Sequence, residues 1–129
     1  MERKKAMTKH RVTVTMKRAY EEMKEDDGKR VLVDRLWPRG LSKEKAHIDV
    51  WLKEVAPSNE LRKEFGHDPE KFAEFREKYM EELSSGSAQE ALKTLRDLAQ
   101  QGPLTLVFSA RDAEHSNAAI LHELLQHGS

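Results

Sequence analysis

Acid, base and guanidinium side chains crowd two short stretches of this chain. The first, RVLVDRLWPRGLSK over Arg30 to Lys43, sets Asp34, Arg35, Trp37, Arg39 and Lys43 within ten positions, around Pro38 and Gly40. The second reads FSARD and continues to His115, Ser116 and Asn117. Arg35, Arg39 and Arg111 each present a planar fork suited to carboxylate or phosphate oxygens, and Lys43 adds a point charge. Ser109 and Asn117 can add hydrogen bonds, and Trp37 a ring surface. Free N–H groups at the start of a helix after Asp112 favour the same negative charge. Together these residues describe an anion site, with Asp34 and Asp112 orienting the cations and His115 able to move a proton. The competing arrangement is internal: Asp34 pairs with Arg35 or Arg111, and Asp112 caps the helix. Residue types alone leave both open. Trp37 likewise either stacks on a ligand or closes the end of a core, whereas Trp51 reads as packing.

Several chemistries are excluded or disfavoured. The chain has no cysteine, which removes disulfides, thiolate metal sites and thiol nucleophiles together. HxxxH and HExxH do not occur, and His115 and His122 lie two helical turns apart, so no metal is expected. Ser109 lacks the Gly-x-Ser-x-Gly elbow and is weighed as a hydrogen-bonding group. No Gly-rich phosphate loop occurs, so no nucleotide cofactor in the familiar modes is expected. Lys and Arg number 23 against 23 Asp and Glu, so no global basic excess advertises nucleic acid. The first expectation is therefore an anionic small molecule, such as a phosphorylated or carboxylated metabolite, with or without catalysis. The alternative is a nucleic-acid or protein interaction module using the Arg/Trp-rich turn of Arg35, Trp37, Arg39 and Lys43. No apolar run approaches the ~20 residues of a membrane span, so no membrane partner is expected and a cytoplasmic setting is. Oligomeric state is not written in these motifs.

The elements that must position these groups follow from periodicity. At 129 residues the chain suits one domain. Residues 1–10 read as a disordered leader and 11–129 as the domain. Val12, Val14 and Met16 alternate with polar residues, which predicts a first strand from about His10 to Lys17. Asp26-Asp27-Gly28 is a turn signal. Val31 to Val33 is a buried strand, and Leu104 to Ser109 an interior strand covered on both faces. Ile48, Trp51, Leu52 and Val55 fall on a helical face, yet the segment is short enough for an irregular or extended form. Ser58 caps a short helix that Gly66 ends. Asp68 and Pro69 start another helix, with Phe72, Phe75, Tyr79 and Leu83 on its apolar stripe. Ala91, Leu92, Leu95, Leu98 and Ala99 mark the next. A final helix is expected from about Ala113 to Gln126, packing through Ala119, Ile120, Leu121, Leu124 and Leu125. A strand–helices–strand order points to parallel strands. The predicted fold is α/β, a small mostly parallel sheet with helices packed on its faces. In such a sheet ligands bind outside the carboxyl ends of strands, and both polar stretches follow strands there.

VDRLWPRG, the Asp49-Val50-Trp51 to Ala56-Pro57-Ser58 segment, Leu61-Arg62 to Phe65, His67 with Pro69, and Leu104 through Asp112 with Asn117 resemble the YeaO-like family. This is a family of small bacterial proteins of unknown function. The resemblance runs from the first strand to the last helix. It implies a compact α/β domain and a bacterial, cytosolic origin, and no activity. A wider group of relatives looks to carry a Cys-His-Arg cluster after the strand equivalent to Leu104–Phe108. Here Ser109, Asp112, His115 and Asn117 occupy that region, so thiol chemistry does not carry over.

Overall fold

A computed structural model describes residues 12–127. It runs β1 (Val14–Arg18), β2 (Lys29–Leu32), α1 (Lys43–Ala46), β3 (Val50–Trp51), α2 (Asn59–Phe65), α3 (Phe72–Glu82), α4 (Gly86–Gln101), β4 (Leu104–Phe108) and α5 (Asn117–His127). Single 3-10 turns at Glu25–Asp27, Lys53–Val55, Pro69–Lys71 and Ala113–His115 join them. The expected leader over residues 1–10 and the start of the first expected strand lie outside the described residues. The sheet order is β1-β4-β2-β3, and every pairing is parallel. Val14 stands opposite Leu104, Lys29 opposite the same Leu104, and Val31 opposite Val50.

Alternation along the strands divides the sheet into two unlike faces. Val14, Val31, Val33, Leu104, Leu106 and Phe108 point into the main core with Leu61, Phe75, Tyr79, Leu95 and Ile120 from the long helices. The other face carries Thr15, Lys17, Arg30, Leu32, Thr105 and Val107. Its carboxyl half is apolar, where Leu32, Val107 and Ala19 meet Trp37, Leu41, Ile48 and Trp51. Its amino half is polar and closed by hydrogen bonds. Thr105 Oγ1 donates to the Asp27 carbonyl at 2.7 Å. Its single proton is thereby used, so Thr15 Oγ1 is the donor in the 2.9 Å Thr15–Thr105 contact. Arg30, only 2% exposed, donates to Asp27 Oδ2 at 2.7 Å and to the carbonyls of Ala46 and His47 at 3.0 Å each. Lys17 reaches the other Asp27 oxygen at 2.9 Å. An arginine in a strand interior is thus satisfied on every side that a small α1 can offer.

Local chemistry sets the helix ends. Ser58 Oγ accepts from the Leu61 N–H at 3.1 Å, and Gly66 closes α2 in the left-handed region at φ 55°. Asp68 accepts from the Glu70 N–H at 3.0 Å, and Pro69 opens the turn that runs into α3. Between Ile48 and Val55 the chain is extended and then 3-10, not helical. The Asp49 and Leu52 N–H groups donate to the Arg30 and Leu32 carbonyls at 2.9 Å each, and that edge pairing outweighs the weak helical periodicity. The last helix starts later than its periodicity suggests. A 3-10 turn occupies Ala113–His115, and within the helix Ala118 is fully buried while Ala119 is half-buried. No helix among the described residues is long and apolar enough to cross a membrane.

Candidate functional site

The carboxyl ends of β2 and β4 meet through Asp34. The Val33 N–H donates to the Val107 carbonyl at 3.0 Å, which carries the ladder one residue past β2. Asp34 then turns its carboxylate toward β4, and Oδ2 accepts from both the N–H and the Oγ of Ser109 at 2.9 Å each. Asn117, the first residue of α5, donates to the Val33 carbonyl at 3.0 Å. Two polar corners 75 residues apart therefore share one rim. Burial raises the Asp34 carboxyl above the ordinary aspartate value, and hydrogen bonds from Ser109 and Asn117 only partly offset it.

Around that junction the expected residues divide. Arg35 directs Nε to the Pro57 carbonyl at 3.3 Å and Nη2 to the Ala56 carbonyl at 3.1 Å, clamping the entry to α2. It pairs with neither Asp34 nor Asp112. Trp37 donates its indole N–H to the Leu41 carbonyl at 2.6 Å and packs edge-on against Trp51, with ring centres 5.4 Å apart. Trp51 in turn donates to the Asp34 carbonyl at 2.8 Å. Asp112 holds His115 Nδ1 at 2.8 Å and accepts its backbone N–H at 3.3 Å. The hydrogen bond from His115 holds the Asp112 carboxyl below the usual range. His115 also lies edge-on to Phe72 at 5.1 Å. Ser116 Oγ accepts from the Ala119 N–H at 3.2 Å, so part of the α5 amino end is already capped. Arg39 and Arg111 are exposed. The ion pairs among the described residues use Lys17, Arg30, Arg76, Lys78 and His115, and neither of these two arginines.

Lys43 is not brought to this rim. It lines a cleft of about 530 Å³ at the opposite, amino end of the sheet, with Gly28, Arg30, His47 and Asp49. No group of three His, Cys, Asp or Glu side chains among the described residues is gathered to hold a metal ion.

Two side chains at the rim, and the role of the Tyr79 hydroxyl in the core, escaped the sequence pattern. Arg18, at the end of β1, donates to the carbonyls of Ser109 and Ala110 at 3.0 Å each, and its guanidinium sits 5.1 Å from the Tyr20 ring centre. Tyr20 donates its hydroxyl to the Arg39 carbonyl at 3.0 Å, tying the Arg39 turn to the end of β1. Tyr79 donates to the Val55 carbonyl from within the core. Burial, then the charges of Asp34 and Glu82, push its phenol well above its ordinary value. Only Tyr79 left a signal: a hydroxyl on an apolar helical stripe must find a partner.

The family model described as the inactive DUF488-N3 subclade matches residues 13–128. The uncharacterized protein Rv3073c of Mycobacterium tuberculosis is 45% identical over 112 residues, covering 87% of this chain and 92% of its own. The uncharacterized protein YeaO of Escherichia coli is 43% identical over 115 residues, covering 89% and 98%. No solved structure matches the chain.

Proposed function

The chain belongs to the inactive DUF488-N3 subclade, and from that premise we propose that it binds an anionic small molecule, phosphorylated or carboxylated, without turning it over. The observation that carries the reading is the double hydrogen bond from Ser109 to Asp34. It brings together the strand ends that the turns of Arg39 and Arg111 follow. Both guanidinium groups are exposed and unclaimed by the ion pairs of the described residues, which suits planar recognition of an oxyanion. Arg18 braces the turn that leads to Arg111 through the Ser109 and Ala110 carbonyls.

Binding is favoured over catalysis because Asp34, the acid at the junction, is held by two hydrogen bonds from Ser109. The word "inactive" in the family description agrees with that. A cytoplasmic setting, where phosphorylated metabolites are held, belongs to the same reading.

Thermal unfolding in inorganic phosphate, against chloride at equal ionic strength, tests it. A ligand selective for the folded chain stabilises it by about 2.7 kcal/mol at a hundredfold excess over Kd. The wild type should gain in melting temperature, and the Arg39→Ala, Arg111→Ala double variant should not. An equal gain in both proteins, or none in either, defeats the reading.

A further inference from the structure

The rim holds an aromatic side chain in an unusual state. Tyr20 is 46% exposed, yet it is not free to move. Its hydroxyl is fixed on the Arg39 carbonyl at 3.0 Å, and the Arg18 guanidinium lies over its ring at 5.1 Å. Arg18 is itself held by two carbonyls at 3.0 Å. A surface tyrosine ordinarily samples several rotamers and loses that freedom on binding. Here the ring is already fixed at its tip and on one face, with much of its surface open, next to the turn that carries Arg39.

We infer that the anion taken at this rim carries a planar heteroaromatic ring, as a nucleoside phosphate does: Tyr20 stacks on the ring while Arg39 and Arg111 hold the phosphate. The inference rests on the anion reading above and adds the ring. Two exposed arginines on turns grip a bare phosphate weakly, because water and salt screen them. A base laid on a fixed aromatic adds an attraction that salt does not screen. The same chemistry is offered by a free nucleotide and by a single nucleic-acid strand.

The test is calorimetric titration of the full chain with adenosine monophosphate and with ribose 5-phosphate, which share the phosphate and differ in the base. Adenosine monophosphate should bind more tightly by roughly 5- to 150-fold, the range for one stacked base. Tyr20→Ala should remove that advantage, so that the variant binds adenosine monophosphate no more tightly than it binds ribose 5-phosphate. Tyr20→Phe, which keeps the ring, should retain most of it. Equal binding of the two ligands to the wild type overturns the ring and leaves the anion reading standing. Equal weakening of both by Tyr20→Ala also overturns it, since it marks a purely structural role. If neither ligand binds, the anion reading falls and the ring with it. A single strand of about eight thymidines distinguishes the sources. Competition with adenosine monophosphate that depends on Tyr20 supports the ring with a strand as ligand. Base-dependent binding of adenosine monophosphate without such competition supports it with a free nucleotide.

Discussion

Removing the Asp27 carboxylate should cost more stability than removing any surface charge. Asp27 is 7% exposed and stands between Arg30, 3% exposed at its side chain, and Lys17, at 18%. Its two oxygens take contacts of 2.7 Å from Arg30, 2.9 Å from Lys17 and 3.1 Å from the Lys24 N–H. In Asp27→Ala two cations face each other across an apolar gap, and Arg30 cannot escape to water. Breaking a buried pair in this way costs about 3–5 kcal/mol. The Arg76–Glu123 pair has a similar distance, 3.0 Å, but is 37% and 50% exposed. Its loss should cost about 0–1 kcal/mol. For a chain of this size the Asp27 loss corresponds to roughly 10–20 °C in Tm. Urea unfolding followed by far-UV circular dichroism at pH 7 measures it. The pH dependence gives a second check. Burial pushes the Asp27 carboxyl up, but hydrogen bonds from Lys17, the Lys24 N–H and Arg30 outweigh it, so the native value lies below the ordinary 3.8. The folded state therefore binds fewer protons. This stabilisation is complete above the unfolded value and is lost as pH falls through the native one. Asp27→Asn should flatten that acid limb. If Asp27→Ala lies within about 1 kcal/mol of wild type, the buried cluster is not what closes this face of the sheet.

Asp34 should show the opposite sign. Burial raises its native value above 3.8, so stability should decline as pH climbs from the unfolded value through the native one. Asp34→Asn keeps an acceptor for Ser109 and should abolish that decline, read as urea midpoints across a pH series. Gly28→Ala should destabilise by about 1–3 kcal/mol, because φ is +68° and the new Cβ would fall 2.3 Å from the Pro103 carbonyl oxygen. Chemical denaturation should show it with no change in m-value. Tyr79→Phe should cost about 1–3 kcal/mol by leaving the Val55 carbonyl without its donor in the core, measurable in the same unfolding assay.

Strong local chemistry was legible before any coordinates. Leu104 to Phe108 is apolar but for Thr105, and every residue of it is buried in the sheet. Ser58, Gly66, Asp68 and Pro69 mark helix ends through hydrogen bonds made within a few residues, so sequence spacing is enough to find them. The meeting of Asp34 with Ser109 follows from parallel strands that both end in polar turns. What escaped depends on partners distant in sequence. Arg35 reads as a free cation until the Ala56 and Pro57 carbonyls arrive beside it. Trp37 reads equally as a ligand contact and as core, and Trp51 and Leu41 draw it inward. Lys43 follows Arg39 by four residues, yet the intervening turn carries it to the other end of the sheet. Lys17, Asp27 and Arg30 form one cluster only because Thr15, Thr105 and α1 bring their backbones together. β3, with two residues, is too short to show any period.

The dissociation constant of inorganic phosphate, measured by calorimetry for wild type and for Arg39→Ala and Arg111→Ala singly, addresses the rim most directly. Both arginines are exposed, so each guanidinium–phosphate contact is screened and contributes about 0.2–1 kcal/mol. Each substitution should therefore weaken binding by roughly 1.4- to 5-fold, while Lys43→Ala, at the other end of the sheet, leaves it unchanged. Phosphate that binds both arginine variants as tightly as wild type, or that responds to Lys43 instead, would contradict the assignment.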